Sequence, residues 1–340
     1  MRSFIDIQKR LLPDLLSIMH KRYDILQYIR LRQPVGRRSL AASLGLTERI
    51  LRSEVEFLKD QNLISANNIG MSLTQEGIDL LDNLDGLMRE LTGIDVMEVE
   101  LQRKLGIRQV VIVPGDSDES PWVKSEIGRA CAACMKKLLV GKNIIAVTGG
   151  STSAAVAEKL VPEFGDKELL FVPARGGIGE DVQNQANTIC AIMSANTNGK
   201  HRTFYVPDQV SRDIYESFIK EPIIHEVLAL IQSASMVLHG IGDAITMAER
   251  RNTNQNDLDK IQAGNAVGEA FGYYFNEEGE IIHKVLTIGL QLDDLDKIPN
   301  VLAVAGGTSK AKAIGAYMKQ APSSTILITD EGAAKMLLKG

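Results

Sequence analysis

The sequence predicts an α/β protein in two parts, an N-terminal winged helix-turn-helix and a larger doubly wound domain. Residues 1–66 hold 12 Lys and Arg against 7 Asp and Glu, whereas the other residues hold 26 against 36. In the larger part, short aliphatic runs alternate with helix-like stretches, and two of these runs break into Gly-Gly. The basic excess of residues 1–66 indicates that only the N-terminal part meets a polyanion. We place the boundary near residue 90, so that residues 1–90 form the first domain and residues 91–340 the second.

The composition is that of a globular protein, with 44% hydrophobic and 24% charged residues among 340. No apolar run reaches the ~18 residues that span a bilayer, and no signal-peptide core follows Met1. We therefore expect a cytoplasmic protein with no membrane association. Cys131 and Cys134 form a lone CxxC without further ligands nearby, so we expect small buried residues and no metal site.

The pattern of the N-terminal part predicts a helix-turn-helix. Apolar residues at helical spacing predict a helix over residues 14–31, which Pro34 and Gly36 end. A second helix follows over residues 37–44, and Gly45 suits the left-handed position after it. Thr47 is placed to cap a third helix over residues 48–61, in which Ile50 joins Leu51, Val55 and Leu58 in one apolar stripe.

A hairpin with a polar tip is predicted directly after the third helix, over residues 63–73, followed by a helix over residues 74–91. Helix, glycine turn, basic helix and hairpin together favour DNA binding over a generic three-helix bundle with solvated charges. We expect the DNA contacts to come from exposed polar residues. Contacts to phosphates are assigned to Arg37, Arg38 and Arg52, and those near base edges to Arg49 and Ser53.

The remaining sequence predicts a parallel sheet covered by helices, because its aliphatic runs do not alternate with polar residues. The predicted strands are residues 110–113, 144–147, 169–172, 203–206, 235–238, 301–304 and 325–328. In such doubly wound sheets, ligands bind beyond the carboxyl ends of the strands. Residues 271–284 break the pattern and predict an antiparallel hairpin that turns at residues 276–279, as an insert or edge ribbon.

Four glycine-rich turns follow predicted strands and should therefore lie on one rim of the sheet. They are residues 148–153, 174–179, 239–243 and 305–310. A strand that turns through glycines into a helix leaves N–H groups and the positive helix end facing outward, which favours phosphate. Any one turn could be a plain strand-to-helix connection, but Arg175, Arg250 and Lys310 accompany these turns and favour an anion site.

Nucleotide-binding motifs are absent from these turns. Residues 306–310 lack the spacing of an ATP-binding loop, with no second glycine before Lys310. Neither GGSTSA nor GGIGED contains the G-x-G-x-x-G pattern of dinucleotide-binding proteins. A nucleotide-responsive regulator is therefore the weakest of the functions considered.

Several longer motifs are similar to those of a known family. VTGGST ends the second predicted strand, FVPARGGIGEDVQNQANTICA covers residues 171–191, and SASMVLHGIG, VLAVAGGTSKA and TDEGAAK follow toward the C-terminus. Across nearly its whole length the chain resembles the SorC/DeoR family of bacterial sugar-responsive transcriptional regulators. The resemblance implies a winged-helix operator-binding head on a Rossmann-like body of the sugar-phosphate isomerase/deaminase type, used as a sensor and not as an enzyme.

The resemblance also implies partners. They are operator DNA and a phosphorylated sugar effector, foremost fructose 1,6-bisphosphate, with no cofactor. It further implies a repressor of glycolytic genes that forms homodimers and a homotetramer on its operator, with effector weakening the contacts between dimers.

Carried over position by position, the resemblance implies nine effector contacts. Phosphate contacts fall on Gly149, Gly150, Ser151, Thr152, Arg175, Arg250 and Lys310, and sugar hydroxyls face Gln185 and Glu269. Ser151 stands where relatives are expected to have threonine, but it keeps the hydroxyl. A bisphosphate needs two separated donor clusters, which we place around Gly149–Thr152 with Lys310 and around Arg250, with Arg175 available to either.

An enzyme acting on aldose or ketose phosphates is the alternative function. Such chemistry needs an acid/base group near the sugar carbonyl. Asp243, Glu269 and His239 could supply one, but none forms a recognisable catalytic set with a partner residue. An enzyme also leaves the N-terminal module unexplained.

Overall fold

The computed structural model describes residues 11–178 and 181–340, which form two compact units. One unit comprises the chain up to Val96 together with Ser120–Trp122, and the other comprises Met97–Glu119 and Val123–Gly340. The helix α5 (Ile94–Leu105) begins in the first and continues into the second. Each unit has its own core.

The N-terminal unit contains the predicted helix-turn-helix and hairpin. Its elements are α1 (Pro13–Arg32), α2 (Arg37–Ser43), α3 (Glu48–Asp60), β1 (Ile64–Ala66), β2 (Met71–Leu73) and α4 (Gln75–Thr92). Gly45 adopts the left-handed conformation with φ of 62°. The Thr47 hydroxyl accepts a hydrogen bond from the Ile50 N–H at 3.3 Å, as predicted for the cap of α3.

The predicted apolar stripe of α3 is wrong at one position. Leu51, Val55 and Leu58 are buried, whereas Ile50 is 43% exposed. Ile50 precedes Leu51 by one residue, which on a helix rotates its side chain by about 100° away from the buried face. The hairpin pairs Ile64 with Leu73 in antiparallel register.

The second unit is built on a parallel sheet of seven strands. In spatial order they are β3 (Gln109–Val113), β13 (Thr325–Asp330), β12 (Asn300–Val304), β7 (Met236–Gly240), β4 (Lys142–Val147), β5 (Glu168–Pro173) and β6 (Lys200–His201). The central strands are apolar on both faces because helices cover both, as the sequence predicts. From β4 the chain moves outward to β5 and β6, then returns to β7 on the other side of β4. The strand order therefore reverses between β4 and β7, where open α/β sheets bind ligands.

The helices of this unit connect the parallel strands. They are α6 (Trp122–Leu138), α7 (Ser151–Lys159), α8 (Ala186–Thr197), α9 (Arg212–Phe218), α10 (Pro222–Gln232), α11 (Ala244–Arg250), α12 (Gln255–Ala263), α13 (Ala311–Met318) and α14 (Glu331–Lys339). The described residues also form short 3₁₀ helices, of one turn at Val182–Asn184 and Thr308–Lys310 and of two turns at Leu292–Lys297.

The strand predicted over residues 203–206 is absent. The edge strand β6 is two residues long, and the last bond that continues its ladder is the Arg202 N–H to the Phe171 carbonyl at 2.9 Å. Beyond it the backbone bonds elsewhere: the Phe204 N–H donates to the Asn187 side chain, and the Val206 carbonyl accepts from the Gly177 N–H. Phe204 and Val206 are buried, whereas Tyr205 between them is 82% exposed, so the segment has the residue types of a strand without the pairing of one.

The hairpin predicted over residues 271–284 is confirmed, but it belongs to a separate sheet. Four antiparallel strands form that sheet in the order β11 (Ile281–Lys284), β10 (Tyr273–Phe275), β9 (Gly268–Ala270) and β8 (Gly242–Asp243). The Gly279 N–H donates to the Asn276 carbonyl across the predicted turn. The sheet carries Glu269 and Tyr274 toward the ends of the main strands.

Among the helices that the structure describes, none is long and apolar enough to cross a membrane. Within the same residues, no group of three or more His, Cys, Asp or Glu is placed to hold a metal ion. Cys131 is buried in α6, and burial raises the pKa of its thiol.

His239, at the end of β7, is fully buried in a polar and aromatic contact set. Its Nε2 lies 3.0 Å from the Tyr317 hydroxyl and its Nδ1 lies 3.0 Å from the Gly240 carbonyl oxygen. The Phe271 ring packs at 4.7 Å between centroids. Burial lowers the pKa of His239 to about 4, with the Gly240 carbonyl opposing that shift, so the imidazole is neutral in the folded protein at neutral pH.

We predict that this histidine makes the second unit sensitive to acid. Between pH 6.5 and about 4 the unfolded state binds a proton that the folded state does not, so stability is lost as pH falls through this window. The loss is about 3 kcal/mol in the limit. Denaturant unfolding at pH 7.5 and 5 should show a smaller pH dependence in His239→Gln than in the unmodified protein. His225→Gln, at an exposed position of α10, is the matched control and should leave the pH dependence unchanged; equal pH dependence in all three proteins would contradict the assignment.

Candidate functional site

A cavity of about 380 Å³ opens beyond the carboxyl ends of β4 and β7. Its walls come from the glycine-rich turns after β4, β5 and β7, from α11 and β9, and from the start of the helix that follows β12. All nine effector contacts expected from the sequence line it: Gly149, Gly150, Ser151, Thr152, Arg175, Gln185, Arg250, Glu269 and Lys310. Gly179, in the turn after β5, lies outside the described residues. The size falls in the range of small-molecule sites.

The turn after β4 presents open backbone donors to this cavity. Gly149 packs against the Asn184 carbonyl, where a Cβ would lie 2.7 Å from the oxygen, and Gly150 has φ of 125°, so both positions require glycine. The first hydrogen bond of α7 runs from the Ala154 N–H to the Gly150 carbonyl at 3.0 Å. The Gly150 N–H already donates to the Asn184 carbonyl at 2.9 Å, so the phosphate contact expected at Gly150 cannot come from this group. The N–H groups of residues 151–153 have no acceptor within the helix, and no side chain of the described residues caps it.

Ser153 adds an unused hydroxyl at the same place. Its side chain is fully buried, yet its Oγ has no hydrogen-bond partner among the described residues. A buried hydroxyl without a partner is destabilising, and most such groups in proteins are satisfied. The N-terminus of α7 thus offers three N–H groups and a spare hydroxyl to an anion.

The second Gly-Gly turn, after β12, is not an open anion site, and the sequence interpretation is wrong there. Its N–H groups are already bonded to internal carboxylates: Gly307 to Asp330 at 2.7 Å, Thr308 to Asp116 at 3.2 Å and Ser309 to Asp118 at 2.7 Å. The Thr308 hydroxyl also donates to Asp116. Only Ser309 and Lys310 from this turn line the cavity. These carboxylates occupy the donors that a phosphate would need, and they hold the turn that carries Lys310.

Lys310 is a cation without a counterion in the described part of the chain. Its ammonium group makes no hydrogen bond or ion pair there, although the side chain is half-buried. Burial lowers its pKa, and the nearby charges of Lys124 and Arg250 lower it further, against the opposing effect of Asp118 and Asp243. Lys124 also donates to the Ser151 hydroxyl at 3.3 Å. A desolvated lysine beside two other cations is stabilised by an incoming anion.

The opposite wall pairs two buried arginines with two buried carboxylates. Arg175 Nε donates to Asp208 Oδ1 at 2.7 Å, and Arg251 Nε donates to Asp208 Oδ2 at 2.9 Å. Arg251 also donates to Glu269 at 2.9 Å and to the Tyr274 hydroxyl at 3.0 Å. Burial opposes the charge of Arg251, but Glu269 and Asp208 outweigh it and raise its pKa.

This pairing corrects the expected roles of two residues. Arg175 is not freely available to either phosphate cluster, because its charge is neutralised by Asp208 at 2.6 Å. Glu269 is engaged by Arg251 and by the Gly272 N–H at 2.6 Å, which limits the hydrogen bonds it can offer a sugar. Asp208 and Arg251 were missed by the sequence analysis. Asp208 follows the segment that was wrongly predicted as a strand. Arg251 is adjacent to Arg250, and nothing in the sequence distinguishes the two arginines.

In the N-terminal unit, the predicted DNA contacts share one property, exposure to solvent. Arg37 and Arg38 lie in the first turn of α2, and Arg49, Arg52 and Ser53 lie along α3. The Arg38 side chain, 3.6 Å from Glu48, is 93% exposed and therefore only weakly held. The exposed positions on α3 are those that a helix in the major groove would use.

Two family descriptions match consecutive parts of the chain. Residues 18–88 match the "CggR N-terminal DNA binding domain", and residues 89–339 match the "Putative sugar-binding domain". The second match covers the parallel-sheet unit and its cavity.

Relatives match over the full length. The chain is 58% identical over 339 residues to the "Central glycolytic genes regulator" of Bacillus subtilis (strain 168), and 60% identical over 340 residues to the protein of the same name from Priestia megaterium. Each match spans 100% of this chain and 99% of the relative. These relatives are regulators of transcription, so the chain is a DNA-binding regulator and not an enzyme.

Solved structures share the fold. A "putative SorC family transcriptional regulator" from Enterococcus faecalis is 49% identical and superposes with a TM-score of 0.68 over 71% of this chain and 99% of its own. The full-length sorbitol operon regulator SorC from Klebsiella pneumoniae, at 17% identity, shows the same fold with a TM-score of 0.65 over 90% of this chain and 94% of its own. The chain therefore belongs to the SorC/DeoR family of sugar-binding transcriptional regulators, together with the central glycolytic genes regulators.

Proposed function

We propose that the chain is a repressor of central glycolytic genes whose operator binding responds to a phosphorylated sugar, foremost fructose 1,6-bisphosphate. The observation that carries the proposal is the meeting of open N–H groups at the start of α7 with Lys310, a cation that has no carboxylate partner in the described chain. That arrangement binds a phosphate through the helix end and through a point charge.

The remaining lining suits the rest of such a ligand. Gln185 faces the cavity with a side-chain amide that both donates and accepts, which suits sugar hydroxyls. Arg250, at the end of α11, supplies a second forked donor for a phosphate. The lining combines charged and polar side chains with the apolar side chains of Ile178, Ile241, Met247 and Phe271. A small polar anion fits this lining better than an extended nucleotide, for which the glycine fingerprint is also missing.

The groups that an enzyme would use are committed to the fold. His239 uses both ring nitrogens in contacts with Tyr317 and Gly240, and it does not line the cavity. Asp243 caps α11 by accepting from the Thr246 N–H at 2.9 Å. Glu269 is paired with Arg251. These commitments favour a sensor over an isomerase.

For the N-terminal part we propose operator binding through α2 and α3, with the hairpin of β1 and β2 as the wing. In functional terms residues 1–90 are the DNA-binding module and its linker helix, and residues 91–340 are the effector-binding and oligomerisation domain. The basic excess of the first 66 residues supports this division. The assembly we propose is a homodimer that pairs into a homotetramer on DNA, with the effector weakening the contacts between dimers.

The direct test is a titration of operator-bound protein with fructose 1,6-bisphosphate. Because binding at two linked sites is reciprocal, effector and operator must change each other's affinity by the same factor. Fluorescence anisotropy of labelled operator and calorimetry of the effector, with and without DNA, measure both factors. Unchanged operator affinity and unchanged assembly on DNA at millimolar effector would refute the choice of ligand.

The unpaired ammonium of Lys310 leads to a prediction about pH. Phosphate binds the protonated form, so affinity for the effector should fall as pH rises through the lowered pKa of Lys310. Lys310→Arg should keep the affinity and remove the decline below pH 10, because arginine stays protonated. Lys310→Met should lose at least about tenfold at neutral pH. Calorimetric titrations between pH 7 and 10 measure this; a decline of the same size in Lys310→Arg would assign it to another group, such as Lys124.

We expect the Ser153 hydroxyl to contribute to ligand binding and not to the stability of the fold. Ser153→Ala removes a buried hydroxyl that has no partner, so unfolding should require the same or a higher denaturant concentration. Affinity for inorganic phosphate should fall by about tenfold. The matched control is Ser194→Ala in α8, whose hydroxyl donates to the Ala191 carbonyl and contacts His201. That variant should lose about 1 kcal/mol of stability and keep its phosphate affinity. If Ser153→Ala instead lowers the stability and leaves the phosphate affinity unchanged, Ser153 is a core residue only.

Arg49 and Arg37 should have different effects on DNA binding. If Arg49 lies at a base edge, Arg49→Ala should reduce operator affinity by about 10-fold or more and leave affinity for random DNA nearly unchanged. Arg37→Ala should weaken both and reduce the salt dependence by about one phosphate contact. Lys59→Ala, at the far end of α3, is the control. If Arg49→Ala reduces the affinity for operator and for random DNA equally, Arg49 contacts the phosphate backbone and not a base edge.

A further inference from the structure

The two buried arginines of the cavity wall are satisfied to different degrees. Arg251 donates from all three nitrogens, to Asp208, Tyr274 and Glu269. Within the described residues, the guanidinium of Arg175 makes one hydrogen bond, from Nε to Asp208. Its Nη2 lies 2.6 Å from the same oxygen without the alignment of a hydrogen bond. Its Nη1 is 3.7 Å from Glu269.

This difference separates a structural cation from a binding one. A buried guanidinium has five N–H donors, and leaving most of them unused is unfavourable. Arg175 is only 7% exposed, so water can accept few hydrogen bonds from its unused N–H groups. Because Arg175 lines the cavity, a ligand bound there is the available acceptor. Arg251, 3% exposed, donates from each of its three nitrogens, so at most two of its five N–H groups remain for a ligand.

Asp208 is held so that it can release Arg175 without being left unpaired. Its second carboxylate oxygen keeps the bond from Arg251 Nε at 2.9 Å. Its backbone N–H donates to the Gly177 carbonyl at 2.9 Å, and the Gly177 N–H donates to the Val206 carbonyl at 3.0 Å. Gly176 packs so closely on Pro207 that a Cβ would lie 2.3 Å from its carbonyl oxygen. The backbones on either side are therefore fixed, and only the Arg175 side chain can change partner.

We propose that Asp208 is a specificity-determining residue of the effector site: it holds Arg175 in a neutral pair until a second phosphate on the ligand takes over the guanidinium. This assignment rests on the proposed function and deepens it. The first phosphate binds at the start of α7, beside Lys310, where the donors are open. The second phosphate competes with Asp208 for Arg175, so the competition sets how strongly a bisphosphate is preferred over a monophosphate.

The test is the ratio of affinities for fructose 1,6-bisphosphate and fructose 6-phosphate, measured by calorimetry on the full-length chain. Asp208→Asn removes the competing charge and keeps the shape, so the ratio should rise by about tenfold while fructose 6-phosphate affinity changes little. Arg175→Gln should lower the ratio by about the same factor. In the double variant the effect of Asp208→Asn should disappear, because no guanidinium remains to release.

Asp243→Asn is the matched control. It removes one negative charge from the same cavity lining, and asparagine still caps α11. An equal rise of the ratio in Asp243→Asn and Asp208→Asn would show a general charge effect and overturn the assignment. An unchanged ratio in Arg175→Gln would overturn it too, even if Asp208→Asn fails to fold. If neither sugar phosphate binds the unmodified chain, the proposed function itself fails, and this assignment with it.

Discussion

The guanidinium groups of Arg175 and Arg251 are buried in one wall of the cavity, and the carboxylates of Asp208 and Glu269 keep them there. Without these partners, either arginine would be an uncompensated buried charge, which proteins do not tolerate. The fold supplies both carboxylates from outside the regular sheet pattern. Asp208 reaches the wall because the chain leaves the sheet after the short strand β6, and Glu269 arrives on the small antiparallel sheet. The features that depart from a simple doubly wound domain are thus those that neutralise this wall, while the N–H groups at the start of α7 stay open to the cavity.

The two Gly-Gly turns show how neighbours decide what a motif does. Both follow buried parallel strands and both use a positive φ, at Gly150 and Gly307. After β4, nothing in the described chain accepts from the first N–H groups of α7. After β12, Asp116 and Asp118 accept from the N–H groups of Thr308 and Ser309, which correspond to the open ones of Ser151 and Thr152, so that turn is a support for Lys310. The first turn leaves backbone donors open to the cavity, and the second presents the side chain of Lys310 to it.

Periodicity and turn chemistry predicted most of the architecture, since buried parallel strands, helix caps and glycine turns are local signals. All nine expected effector residues meet in one cavity, because the carboxyl ends of parallel strands share an edge of the sheet. Residues 203–206 were predicted as a strand from their residue types; Phe204 and Val206 are buried, but the Phe204 N–H bonds to the Asn187 side chain and not to a neighbouring strand. The pairing of Arg175 with Asp208, and the carboxylates on the second turn, join residues 33 and up to 192 positions apart, and no local pattern encodes them. The sequence was therefore sufficient to locate the cavity, whereas the ion pairs that balance its charges could be identified only in the structure.

The central claim is that one wall of the cavity is open to phosphate and the other is held closed by a carboxylate. A crystal structure of the full-length chain with fructose 1,6-bisphosphate tests it most directly. We expect one phosphate on the N–H groups of residues 151–153 with Lys310 in contact, and the other on Arg175, whose Nε has left Asp208 while Arg251 keeps it. A phosphate bound at the turn of residues 306–309, or an Arg175–Asp208 pair that is intact beside a bound bisphosphate, would contradict the account.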